Sequence, residues 1–417
     1  MPVKRTSQRK TATKVAQRPA TKGRARSADI KEEFEARGVS PEIVRHAVTH
    51  PRRKGRVLVM VGTRKGAFLY ESDLRRREWR MTGPHFPGWS VLHMALDRRN
   101  GGDGTLFAAL YHEVYGTNIH RSTDLGKIWT MSDGPAFAPD AGETLKRLWR
   151  VEPGHAERPN EVWAGGDPGC LFKSEDGGQT WQAVPGLNAH PTRANWFPGA
   201  GGLMVHSILL HPTNPDRLYV AISVAGVFRS DDGGVTWTPK NKNTHACFLP
   251  EGQQWPEFGQ CVHHLVMSPT QPDWLFQQNH CGVYRSRDAG ETWASIADGL
   301  PAHFGFGMGI LPGQDQTIYV TPEVSDEYRY MPKGALAVYR SRDGGDQWER
   351  LTRGLPREGA YLNVLREGLA TDACQPGGVY VGTSTGQLFH SRNEGTTWSL
   401  LADFLPPIHS VATAVLD

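Results

Sequence analysis

Two short stretches hold the densest set of metal-binding side chains in this 417-residue chain. Cys261-Val262-His263-His264 opens one apolar strand, and Asn279-His280-Cys281 closes the next. With the turn centred near residue 271, antiparallel pairing sets 261 against 281 and 263 against 279, so thiols and imidazoles meet at one end. Thiolate and imidazole together suit Zn²⁺ or another divalent metal, with His263, His280, Cys261 and Cys281 as the ligands. The same side chains also read as small packed residues and hydrogen-bonded histidines between sheets, because they follow no recognised ligand spacing. Carboxyl groups offer a second chemistry. Asp167, Glu323 and Glu367 fall beside turns, and paired carboxyls are what glycoside hydrolysis requires. There is no P-loop, no dinucleotide-binding glycine run after a strand and no Gly-x-Ser-x-Gly elbow, so nucleotide and serine-hydrolase chemistry lack support.

The elements that must position these groups come from a repeat. Ser122–Trp129 (STDLGKIW), Ser174–Trp181 (SEDGGQTW), Ser230–Trp237 (SDDGGVTW), Ser286–Trp293 (SRDAGETW), Ser341–Trp348 (SRDGGDQW) and Ser391–Trp398 (SRNEGTTW) share one pattern, and Ser72–Trp79 (SDLRRREW) is a decayed copy. Their first serines are spaced by 50, 52, 56, 56, 55 and 50 residues, a period of four-stranded blades rather than of helical repeats. In each copy the Ser and the Asp (Asp124, Asp176, Asp232, Asp288, Asp343) can bond to the turn's own amides, and a Gly supplies positive φ. The closing Trp (Trp129, Trp181, Trp237, Trp293, Trp348, Trp398) packs between blades. Short alternating strands precede each copy, such as GVFR and RLYVA, with innermost strands such as VHSILLH and VHHLVMS further upstream. The expected fold is all-β: a seven-bladed β-propeller over residues 57–417. Strand Val57–Thr63 has no innermost partner before it and the chain ends on a spare strand, Ile408–Asp417, so the C-terminal strand completes the first blade and leaves no open edge.

In such a ring the loops entering the innermost strands, and those joining the second strand to the third, converge on one mouth, with the repeat turns on the opposite face. Long loops at 184–204 and 239–260 carry Trp196 and Trp255, and 322–335 is a long insertion; together they predict a pocket wall. His206 at the head of an innermost strand, His112-Glu113 at the end of a second strand, and Arg147 join them as ligand-binding candidates. The expected occupant is a small molecule, a glycan or a protein.

The Ser-x-Asp-x-Gly-x-Thr-Trp pattern resembles the Asp-box, or BNR, repeat of sialidases, xyloglucan-type endoglucanases, the sortilin luminal domain and photosystem II assembly factors. It is also similar to bacterial proteins identified as sialidase-like or glycosyl-hydrolase-like, which share stretches like VGTRKGAF, EFGQCVHH and NHCGVYRS. The resemblance spans residues 57–417 and is specific for fold rather than activity. It implies either a binding and assembly propeller or an exo-α-sialidase-like glycosidase. For the latter, Arg64, with Arg147 or Arg150 and Arg366, stands where an arginine cluster is needed, and Tyr328 with Glu323 stands for a nucleophile and its base. The Phe/Tyr-Arg-Ile-Pro element of sialidases is absent here, where the comparable strand end reads Gly62-Thr63-Arg64-Lys65-Gly66.

Charge is divided unevenly. Residues 1–28 hold nine Lys or Arg and no acid, leaving 38 basic against 43 acidic residues in the rest. Such a segment buries too little apolar surface to offset its ordering entropy, so it is expected to be a disordered arm, solvated or attracted non-specifically to an anionic partner. Residues 29–56 read as a short helical or irregular linker. Five cysteines, an odd and small number, argue against a disulfide framework and for a reducing, cytoplasmic setting. No apolar run is long enough to span a bilayer. A closed ring needs no partner to complete its sheets, so a monomer is expected.

Overall fold

The computed structural model describes residues 55–416; the basic segment 1–28 and nearly all of the 29–56 linker lie outside the described residues. Among the described residues, the strands form seven four-stranded antiparallel sheets arranged as the blades of a propeller. Blade 1 pairs the last strand of the chain, Ile408–Leu416, with Arg56–Thr63, and continues through Gly66–Asp73 to Arg80–His85. Blades 2 to 7 follow in chain order, each running from an inner strand A to an outer strand D. Their inner strands are Ser90–Asp97, Arg147–Pro153, Val205–Leu210, Val262–Met267, Gly305–Ile310 and Leu369–Thr371.

The alternating inner and second strands are buried on both faces. Tyr219, Tyr319, Tyr380, Phe107, Phe172, Phe228 and Phe276 are among the largest fully enclosed side chains, and they fill the space between neighbouring blades. The recurring Ser-x-Asp turns lock the junction between the third and fourth strands. In blade 4, Ser230 Oγ donates to Asp232 Oδ1 (2.7 Å) and accepts the Gly234 amide (2.9 Å), while Asp232 Oδ1 accepts the Thr236 amide (2.9 Å). The same bonds recur at Ser122, Ser174, Ser286, Ser341 and Ser391. The tryptophans then tie blades together: Trp293 Nε1 donates to Lys240 O and Trp348 Nε1 to Ile296 O, each at 2.8 Å.

A second device lies in the residue before four of the serines. Arg121, Arg229, Arg285 and Arg340 each donate from Nη1 to a turn carbonyl of the following blade: Gly177, Ala289, Gly344 and Glu394. The decayed turn of blade 1 instead sends Arg76 into blade 7, where its guanidinium meets Asp372 at 3.0 Å with both side chains buried. Asp372 also accepts the Cys374 and Gly378 amides and the Tyr380 hydroxyl, so the buried charge is fully bonded. Breaking one side of such a pair costs about 3–5 kcal/mol. Blades 1 and 7 are therefore joined by an ion pair as well as by the ring-closing strand. Among the described residues no helix is long and apolar enough to cross a membrane.

Removing Ile408–Leu416 would strip the inner partner from Arg56–Thr63, eight residues long and almost entirely buried. The truncated chain is expected to aggregate and to lose its cooperative thermal transition; a soluble truncation that melts cooperatively would contradict this closure.

Candidate functional site

Antiparallel order places the heads of the inner strands and the loops between second and third strands on one face, opposite the Ser-x-Asp turns. At that face nearly every inner strand carries a β-bulge. The ladder skips His409 in blade 1, Leu92 in blade 2, Trp149 in blade 3, His206 in blade 4, His263 in blade 5, and Phe306 with Gly307 in blade 6. A bulge leaves its extra residue unpaired and re-aims the side chain. Six blades thus direct a side chain around the axis at one level.

Two of these are joined to the next blade by the same bond. His206 Nε2 meets Val262 O at 2.9 Å, and His263 Nδ1 meets Gly305 O at 2.6 Å. Trp149 goes further. Its indole N–H donates to both oxygens of Glu367 (3.2 Å each), joining blades 3 and 7, which are not neighbours in the ring. Arg366 crosses in the same way from blade 7 to Ser223 Oγ in blade 4 (3.3 Å). Trp149 and Arg366 together close the channel at its upper end. A cavity of about 370 Å³ lies towards the other end, lined in part by His93, Arg150, Glu152 and Thr413.

The plug is cationic. The guanidinium carbon of Arg147 lies 6.0 Å from the Trp149 ring and that of Arg366 lies 5.8 Å from it, so one indole borders two positive charges. Arg366 also lies 5.1 Å from Phe306, and Arg329 caps Phe304 and Phe306 at 5.8 Å. Burial first, then the Arg64 and Arg147 charges, push His409 down to about 4, which places both arginines beside it. Arg366 Nε and His409 Nε2 are buried without hydrogen-bond partners. Orphaned polar atoms of this kind cost free energy unless a water or ligand meets them.

The acids are held apart from solvent. Asp167 pairs with Arg147 (3.2 Å) and is nearly enclosed. Burial pushes Glu367 up to about 7, against the opposing charges of Arg150 and Arg366 and the Trp149 indole. Burial likewise raises Glu323 to about 7, although the Asn363 amide donates to its Oε2 at 2.8 Å. Glu323 has no exposed surface and its Oε1 finds no donor.

The remaining candidates divide in two. Arg64 is exposed at a turn of blade 1, where its carbonyl accepts the Ser90 hydroxyl. His112 is half-buried between Trp89 and Tyr115 (5.0 and 4.8 Å), and Glu113 is exposed beside it. Trp255 is 65% exposed over His245, and Tyr328 is 53% exposed on the 322–335 loop. His206 and Trp196 point inward instead. His206 is fully enclosed with both ring nitrogens engaged, by Ser207 Oγ and Val262 O. Trp196 packs on Phe228 and His190 in the core between blades 3 and 4.

Blade 5 departs from expectation in two respects. The ladder pairs Val262 with Asn279 and His264 with Gln278, so the anticipated 263–279 pairing is displaced by the bulge at His263. Cys281 is joined to Cys247 by a disulfide that pins the 239–260 loop to the end of the second strand. One bridge therefore forms in a chain whose cysteine count argues against a disulfide framework, and the role of Cys281 as a metal ligand is corrected, since a disulfide sulfur is no thiolate. Cys261, His263 and His280 remain together, with donor atoms within 4.8 Å of one another. Sequence reasoning named Arg366 and Glu367 but missed Trp149, because only the bulge turns it to the axis.

No protein-family model matches the chain. Similar curated proteins include a xyloglucanase of Paenibacillus sp, 23% identical over 239 residues that make up 50% of this chain and 22% of that protein. A xyloglucanase of Hypocrea jecorina is 26% identical over 252 residues, 55% of this chain and 29% of its own. The photosystem II assembly protein Ycf48 of Thermosynechococcus vestitus is 41% identical over 68 residues, 14% of this chain and 20% of its own. The matched stretch thus spans about a quarter of the length of these curated relatives. Among solved structures, the Niastella koreensis GH74 enzyme superposes with a TM-score of 0.55 at 18% identity, covering 82% of this chain and 51% of that one. The likeness fixes the fold. The chemistry has to be read from the mouth itself.

A carboxyl group held neutral up to about 7 in the fold, but ionising near 4.5 when unfolded, favours folding at low pH and loses that advantage as pH rises through 7. Glu367→Gln keeps an acceptor for Trp149 and cannot ionise. Its stability relative to the unsubstituted protein is expected to rise by on the order of 2–3 kcal/mol between about pH 5 and pH 8, measured by denaturant unfolding. A difference that does not change with pH would contradict the buried, neutral carboxyl.

Proposed function

We propose that the protein is a binding propeller whose upper mouth takes an anionic ligand, with a carboxylate-bearing glycan as the best match. The observation that carries this is the Trp149 indole flanked by Arg147 and Arg366. Guanidinium groups are planar forks suited to carboxylates, and an indole face suits the C–H surface of a sugar ring. Arg64 and Arg329 extend the positive field outward, which draws anions towards the axis. The half-buried Trp89 and His112, with the exposed Tyr115, offer a further stacking surface on the same face, Trp89 and Tyr115 being nearly parallel at 6.0 Å. Similarity to glycan-degrading xyloglucanases supports a sugar over other carboxylates.

A hydrolytic reading has one observation in its favour: carboxyls near 7 at Glu367 and Glu323 have the proton affinity of a general acid at neutral pH. Both are sealed in the fold, at 3% and 0% exposure, so neither meets a substrate without rearrangement. Binding without turnover is the better account.

Calorimetry with oligogalacturonate and sialyllactose, against neutral cello- and xyloglucan oligosaccharides, tests the proposal. An acidic sugar is expected to bind, more weakly as salt rises, and Arg366→Met or Arg147→Met is expected to reduce affinity about 10- to 100-fold, the worth of a charge-assisted hydrogen bond. Preference for neutral sugars, or affinity untouched by both substitutions, would overturn it. Release of sugar from the same panel, lost in Glu367→Gln, would establish the hydrolytic reading instead.

A further inference from the structure

Apart from the plug, the described residues contain one cluster of metal-ligating side chains, at the head of blade 5. Cys261 Sγ and His263 Nε2 are 3.5 Å apart. A tetrahedral Zn²⁺ with bonds of ~2.3 Å to sulfur and ~2.0–2.1 Å to nitrogen sets those two ligand atoms ~3.5 Å apart. The spacing fits without adjustment. The His280 ligand atom lies within 4.8 Å of both.

The tautomer of His263 is also fixed. Its Nδ1 sits 2.6 Å from Gly305 O, and a carbonyl can only accept, so Nδ1 carries the proton and Nε2 presents its lone pair to Cys261. Stacking on Phe306 (4.4 Å, 23°) holds the ring in that orientation. Asp326 Oδ2 lies 3.4 Å from His280 Nε2 and supplies the carboxylate that commonly orients a metal-bound imidazole. Its negative charge offsets the nearby Arg329 and Arg366. The backbone holds the two halves of the set together, because the His280 amide donates to Cys261 O at 2.9 Å, and the Cys247–Cys281 disulfide anchors the next residue.

We infer that Cys261, His263 and His280 form a site for a divalent transition-metal ion, Zn²⁺ by its donor chemistry, with the fourth position open to water or ligand. One thiolate and two imidazoles are borderline-soft donors that suit Zn²⁺ and disfavour Mg²⁺ and Ca²⁺. Three protein ligands and an open position are the arrangement of zinc sites that bind or activate a small molecule. The site shares no ligand with the Arg147–Trp149–Arg366 plug, although Arg366 and His263 pack on the same Phe306 ring, and it does not depend on the ligand proposed for the plug.

The test uses the full-length protein, stripped of metal and then titrated with Zn²⁺ and with Co²⁺. Near-stoichiometric Zn²⁺ uptake is expected, with a rise in melting temperature and a thiolate-to-Co²⁺ charge-transfer band. Cys261→Ser should abolish the band, and His280→Ala, checked for cooperative melting, should weaken Zn²⁺ binding by at least roughly 10- to 100-fold, the loss that replacing a ligand's own hydrogen-bond partner already causes. A cooperatively melting protein that takes up no Zn²⁺ would overturn the site and leave a Cys261 S–H hydrogen bond to His263 in its place. Uptake equal in both variants and the unsubstituted protein would overturn it as well.

Discussion

The structure depends on how the innermost strands end. A propeller needs seven strands to converge on one axis, and regular ladders there would alternate side chains between the flanking blades with none aimed across the channel. The bulges at His409, Leu92, Trp149, His206, His263 and Phe306 break that alternation at one level of the ring. Each leaves one residue out of the ladder and turns its side chain from the regular alternation. What the chain does with the position differs from blade to blade: a blade-to-blade tie at His206, a span across the axis at Trp149, and a lone pair facing a thiol at His263.

The opposite face is built for uniformity. The Ser-x-Asp turns repeat with nearly the same bonds, inter-blade arginines recur in four blades, and the Arg76–Asp372 pair stands where the chain closes. The buried His206 and His263, the neutral Glu367 and the unpartnered Arg366 Nε and His409 Nε2 sit at or near the heads of the inner strands.

Much of this was legible in the sequence for physical reasons. A turn whose Ser and Asp bond their own amides is a local motif, so its copies announce the blades and their count, and the spare last strand announces the closure. The mouth was partly legible, since loop lengths and strand order bring Arg64, Arg147, Arg366, Glu323 and Glu367 to one face. Burial was not. Glu323 and Trp196 have types that suit a ligand site, yet 322–335 and 184–204 fold back on the blades and enclose them. Bulges were not either, because one extra residue in a short strand leaves no compositional mark, and that is why Trp149 went unnoticed and the register of Cys261 and His263 was displaced. Nor does an odd number of cysteines forbid one bridge, as Cys247 and Cys281 demonstrate.

The central claim is that the bulged inner strands form the binding surface, and hydrogen exchange of the full-length protein with and without an acidic oligosaccharide tests it most directly. Slower exchange is predicted at the heads of the inner strands of blades 3 and 7, around 147–150 and 366–369, with the Ser-x-Asp turns unchanged. Protection confined to those turns or to the outermost strands would contradict the account.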